Sequence, residues 1–155
     1  PSLLFALLII TVLGPSGINA VIALGIAFTP GMARIARSVT LSVKTSDYVS
    51  AAVARGESTL WIMSREIAPN MLAPVIIEAT IRVAFAIMLL ATLSFLGLGS
   101  QPPAPEWGLM ISEGRAFMFR NAWIIVWPGL SIAIVAITFN LLGDALRDAL
   151  NPKNG

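Results

Sequence analysis

The sequence predicts an all-α protein, a polytopic bundle of transmembrane helices. Three observations carry this. Of the 155 residues, 57% are hydrophobic and only 12% are charged, about half the charged share of an average soluble domain. The apolar residues fall in long blocks rather than in alternation, and long blocks are the pattern of helices that face lipid. Gly- and Pro-rich clusters punctuate the blocks and supply the turns.

Four hydrophobic segments follow along the chain, within one transmembrane domain over 1–155. The first is Leu3 to Leu13, ended by Gly14-Pro15-Ser16-Gly17. At ~1.5 Å per residue it makes roughly 16 Å of helix, short of the ~30 Å bilayer core. It has no basic leader before it, so a signal peptide is disfavoured; the expectation is an N-terminally incomplete segment of a longer protein. The second segment runs from about Ile18 to Ala36, with a kink expected at Pro30-Gly31. Small residues recur in it (Ala23, Gly25, Ala27, Gly31 and Ala33) and suit close helix packing in lipid. The third covers about Met71 to Leu98 and is closed by Gly97-Leu98-Gly99 and a Pro-rich loop. The fourth covers about Ala122 to Leu142, with Trp123 and Trp127 where an interfacial aromatic belt falls. The stretch Trp107 to Phe119 reads as a short interfacial helix.

Charge orients the segments. Arg34, Arg37, Lys44, Arg55 and Arg65 lie between the second and third, and Arg147 and Lys153 follow the fourth. The positive-inside rule puts 37–70 and the C-terminus in the cytoplasm and the Pro-rich loop outside. The net charge of +2 is scattered along the chain, which gives no case for nucleic acid. With no Cys and no His, thiolate and imidazole metal ligands, a Ser-His pair and a disulfide framework are all excluded. No Gly-x4-Gly-Lys-Ser/Thr phosphate loop occurs. The expectation is a non-catalytic chain with no cofactor or metal of its own.

The most informative stretch is the charged island AAVARGESTLWIMSREIAPN, residues 51–70. Ala51 and Ala52 permit close backbone approach, and Gly56 permits a positive-φ corner between two short helices. Ser58 is placed to cap the second of these. Leu60, Trp61, Met63 and Ile67 offer apolar surface ringed by Arg55, Glu57, Arg65 and Glu66. Pro69 is expected to end that helix, with Asn70 preceding the next crossing. Two readings fit: a knob for a groove on a soluble partner, or an amphipathic connector lying on the headgroups. Glu78 and Arg82, four apart, share one face of the third segment as an intramembrane pair. They either snorkel or pair structurally, or they meet cargo. Asn140, Asp144 and Asp148 are read as solvating the cytoplasmic end rather than binding an ion.

The island resembles the cytoplasmic loop motif of permease subunits of binding-protein-dependent ABC importers: Glu-Ala-Ala, a Gly four positions on, and a Leu-Pro ending. Here it reads Ser50-Ala51-Ala52, Gly56 and Glu66-Ile67-Ala68-Pro69, with Ser50 in place of Glu and Ala68 in place of Leu. LSFLGLGSQPPAPEWGLMI (Leu93 to Ile111) and WPGLSIAIVAITFNLLGDALRDALNP (Trp127 to Pro152) resemble the dipeptide, oligopeptide and nickel subfamily. The similarity covers nearly the whole chain, from the third crossing of such a permease to its end.

The resemblance implies the type I ABC importer permease fold, a bacterial inner membrane, and several partners. These are a homologous second permease, two cytoplasmic ATPase subunits that hold ATP and Mg, and an extracytoplasmic substrate-binding protein. It implies that Ala51, Ala52, Gly56, Ser58, Trp61, Arg65, Pro69 and Asn70 form the coupling helix against an ATPase. It implies that Gln101, Pro102, Pro103, Glu106 and Trp107 lie where the binding protein docks. Di- or oligopeptide cargo is favoured over nickel or another small solute, because no His or Cys is present for a soft metal. An ion-driven transporter or channel using Glu78 and Arg82, or a membrane scaffold without flux, are the competing classes.

Overall fold

The computed structural model describes residues 2–150; Pro152 and Lys153, used above, lie outside them. The described residues fold into helices alone. They are α1 (Ser2–Leu13), α2 (Gly17–Lys44), α3 (Asp47–Ala54), α4 (Thr59–Trp61), α5 (Ala68–Phe95), α6 (Trp107–Gly114) and α7 (Trp123–Ala149). A π turn, Ile62–Ile67, joins α4 to α5, and a 3-10 turn, Arg115–Phe117, follows α6.

Among the described residues, three helices are long and apolar enough to cross a membrane: α2, the Thr59–Phe95 helix and α7. Of the four expected crossings, α1 is apolar but only 12 residues long. Its end is set by Gly14 at φ 85°. The Asn19 amide donates to the carbonyls of Leu13 (2.9 Å) and Gly14 (3.0 Å), meeting acceptors that a helix end leaves open. The two helices fold back on each other, and their outer ends enclose a cluster of Ala6, Ile10, Ala20, Ala23 and Leu24 with Leu93 of α5. Alanines at the seam let the backbones approach closely, the packing available where lipid removes a hydrophobic drive between helices.

The helices run past the apolar segments: α2 continues beyond Ala36, through Pro30, to Lys44, and α7 continues beyond Leu142 to Ala149. One expectation is corrected: Pro69 ends no helix, and one helix of 37 residues spans Thr59–Phe95. In an α-helix a Pro at 69 would clash with the carbonyl four residues back. The π turn ahead of it shifts the ladder, with the Ala68 N–H donating to Met63 O rather than one residue nearer. Pro69 then falls in the first turn of α5, where its missing N–H is harmless.

At ~1.5 Å per residue this helix is about 55 Å long, against a hydrocarbon core of ~30 Å. A third or more of it therefore exceeds what a crossing along the bilayer normal needs. Its first turns lie beside the end of α2 that carries Arg34, Arg37 and Lys44, the side expected in the cytoplasm by charge.

At the other end, α6 wedges between α5 and α7. Gly108 rests against the Ala91 carbonyl, and Gly114 against Ile124. The Ser112 hydroxyl donates to Phe95 O at 2.9 Å, and Gly143 of α7 meets Ile81 of α5 further down. Trp123 and Trp127 stack at the start of α7, centroids 5.7 Å apart.

These contacts make a packing prediction. A side chain at Gly108 runs into backbone that cannot move aside, whereas Gly129 faces open space. Gly108→Val is expected to cost about 1–3 kcal/mol or more, and Gly129→Ala to stay within about 0.5 kcal/mol. Thermal unfolding of the detergent-solubilised protein measures both, and equal losses would contradict the wedge.

Candidate functional site

The island 51–70 folds as a helical hairpin at the N-terminal end of α5. Asp47 occupies the first turn of α3, where a carboxylate complements the helix dipole. The chain turns at Gly56, φ 78°, a conformation that costs an L-residue roughly 1–2 kcal/mol. Ser58 Oγ accepts the Trp61 N–H at 3.3 Å and caps α4. Val49 and Ala52 of α3 pack on Ile62, with Ile67 against them. Arg55 ties the corner to the return strand of helix through Glu57 (3.7 Å) and Glu66 (3.8 Å). These ion pairs are solvent-exposed and contribute little stability; they orient the corner.

The expected coupling residues divide into two groups. Ala52 is fully buried inside the hairpin, packed with Val49 and Ile62. Ala51, Gly56, Arg65, Pro69 and Asn70 are exposed, the Asn70 amide donating locally to Glu66 O at 2.7 Å. Trp61, Met63 and Val53 are exposed apolar groups, and Leu60 is 78% exposed. The result is a small apolar knob with a charged collar, carried at the ends of two long helices. Sequence inspection missed Val53, which shares the exposed face, and Thr40, whose hydroxyl reaches Met71 Sδ at 3.4 Å and joins α2 to α5 beside the hairpin. A helical wheel of α3 would have found the first; nothing in the sequence pairs the second.

Glu78 and Arg82 form an ion pair at 3.0 Å on α5. Arg82 does more than complete that pair. Its guanidinium carbon lies 6.0 Å from the Phe28 ring centroid, and its terminal nitrogens sit against Gly31, both on α2. Glu78 also borders a cleft with Ile35, Ala73, Pro74, Ile77, Arg147 and Leu150.

On the outer side, Gln101 donates to the carbonyls of Gly97 (3.0 Å) and Gly99 (3.2 Å) and so braces the loop. Pro102 and Pro103 are exposed. Glu106 caps α6, accepting from the backbone N–H groups of Gly108 (3.2 Å) and Leu109 (3.1 Å). Trp107 is partly exposed over an apolar slot lined by Ile87, Leu90, Ala91, Ile132 and Val135. Among the described residues no group of three or more carboxylates is placed to hold a metal ion.

Comparison with known proteins gives this geometry a context. Residues 1–155 match the family described as the binding-protein-dependent transport system inner membrane component. The chain is 45% identical over 153 residues to a dipeptide transport system permease protein, DppC, of Alkalihalophilus pseudofirmus, covering 99% of this chain and 50% of that protein. It is 44% identical to the di/tripeptide transport system permease protein of Pseudomonas aeruginosa, covering 99% and 50%. With the dipeptide permease of Escherichia coli the identity is 43%, covering 99% and 51%. The chain thus spans about half the length of the curated relatives it matches. Its full-length match to the family model and its membrane-length helices agree, and the chain belongs to the family of binding-protein-dependent transport system inner membrane components.

Proposed function

We propose that this chain is the membrane-spanning permease part of an ATP-driven importer of di- or oligopeptides in a bacterial inner membrane. The observation that carries the proposal is the hairpin: an exposed apolar knob at the tip of a helix continuous with a membrane crossing. The knob seats in a groove on a cytoplasmic ATPase subunit. A second, homologous permease completes the path, a second ATPase subunit serves it, and an extracytoplasmic binding protein delivers cargo near Gln101, Pro102, Pro103 and Trp107. ATP with Mg is bound and hydrolysed on the partners, and this chain is non-catalytic. Peptide cargo is supported by the names of the relatives, which are dipeptide and di/tripeptide permeases.

The mechanism is mechanical. Closure of the ATPase pair displaces the knob, and Val49, Ala52 and Ile62 make it move as one body. Displacement reaches the membrane by two routes, since α2 runs into α3 and α4 runs without a break into α5. ATP thereby biases the equilibrium between inward- and outward-facing arrangements through contacts made in only one of them. Glu106, as the α6 cap, keeps the outer loop in place for docking.

Two outcomes test this. Gly56→Trp places bulk and a strained φ at the corner; the assembled complex is expected to keep hydrolysing ATP while peptide uptake into vesicles is lost. Unimpaired ATP-driven uptake by that variant would contradict the coupling role. Leu60→Asp and Ala52→Leu are expected to separate. The first leaves the hairpin folded and weakens capture of the ATPase. The second overpacks the hairpin core, at about 1–3 kcal/mol, and speeds amide exchange across 47–67. Similar exchange in the two variants would refute the division into contact and packing residues.

A further inference from the structure

We propose that Arg82 is a positioning residue that clasps α5 to α2, so that the two arms of the hairpin move as a unit. The proposal rests on the coupling role given to the hairpin above. The Glu78–Arg82 ion pair lies within α5, so by itself it joins nothing. The link between helices is made by the guanidinium. It lies over Phe28 at about the outer limit for a cation–π contact, and it fills the place where a side chain at Gly31 would stand: a Cβ there would come within 3.1 Å of Nη1 and 3.2 Å of Nη2. Glu78 neutralises the charge and fixes the fork; Phe28 and Gly31 receive it.

Position gives the clasp its purpose. Arg82 is about 20 Å along α5 from Phe95, and Gly31 is about 21 Å along α2 from Gly17, at ~1.5 Å per residue. The two are level, between the apolar cluster at the outer ends and the Thr40–Met71 contact near the hairpin. An apolar pair would join α2 and α5 at least as stably, because a charge in the membrane interior carries a desolvation cost. What a guanidinium adds is direction. Its Nε is buried and makes no hydrogen bond to the described residues, so among them the fork is tied by Glu78 at 3.0 Å and seated on Phe28 and Gly31. A clasp of this kind holds α2 and α5 in step through the stroke.

The test uses the complete assembly in proteoliposomes, with ATP hydrolysed per dipeptide imported as the readout. Arg82→Met keeps length and packing but removes the charge; it is expected to assemble, to hydrolyse ATP, and to consume about five-fold more ATP per peptide, the low end of coupling between sites. The double exchange Glu78→Arg with Arg82→Glu restores an ion pair but sets a carboxylate against the Phe28 ring, and is expected to stay uncoupled. Gly31→Leu evicts the guanidinium with both charges intact and is expected to do the same, which covers the case in which Arg82→Met fails to assemble. A wild-type ratio in the double exchange or in Gly31→Leu would overturn the clasp. Spin labels at Ser38 and Leu72 read the α2–α5 separation without reference to ATP. The wild type should give one narrow distance and Gly31→Leu a broadened one; equal widths would also overturn the clasp. A wild-type assembly lacking ATP-driven uptake would instead contradict the transporter role, and the spin-label widths would still decide whether Arg82 joins the two helices.

Discussion

Everything in this molecule depends on the unbroken backbone from Thr59 to Phe95. A peptide bond in hydrocarbon has no water to satisfy it, so a crossing segment is helical throughout. Extending the same hydrogen-bond ladder past the headgroups turns a crossing into a rod. The hairpin sits on the end of that rod instead of on a flexible connector. The π turn Ile62–Ile67 is the device that keeps the ladder running past Pro69. π turns are energetically uncommon and concentrate where a helix serves a function; here one converts a residue that would end a helix into its first turn.

The two faces of the membrane are built on different principles. On the outer side the helices are locked by contact: Ala6, Ile10, Ala20, Ala23, Leu24 and Leu93 pack together, Gly108 lies on the Ala91 carbonyl, and Glu106 caps α6. On the other side α2 and α5 lead into the hairpin and are joined by Arg82 against Phe28 and Gly31 and by the Thr40–Met71 contact. Large apolar surface stays exposed on α2, α5 and α7, as at Ile22, Phe85 and Leu141, and lipid or a second membrane subunit is the environment such surface requires.

Much of this was legible in the sequence, and the parts that were not have physical reasons. Apolar blocks located the long apolar helices, because burial in lipid demands unbroken hydrophobicity. The positions of Gly56 and Ser58 located the hairpin corner and its cap, because positive φ and N-capping are chemical demands on single residues. The helix ends were not legible where hydrophobicity and helicity part company. Charged residues after Ala36 are as helical as those before it, and hydropathy cannot register where a helix leaves the bilayer. Pro69 was misjudged because a proline rule is local, while the π turn that accommodates it depends on the five residues upstream. The burial of Ala52 inside the hairpin was not legible, since an alanine's small size fits a surface or a core until its neighbours are placed. The Arg82 seat on Phe28 and Gly31 was illegible for a plainer reason. It joins residues some fifty positions apart, and a single sequence carries no sign of that pairing.

The central claim is that the hairpin projects into the cytoplasm and is gripped there by an ATPase. A photo-crosslinking residue placed at Leu60, with the buried Ala52 position as control, tests it most directly in the intact membrane. Adducts to a cytoplasmic ATPase subunit from position 60, and none from position 52, are the predicted result. Adducts from position 60 to lipid alone, or to a protein on the opposite side of the membrane, would contradict it.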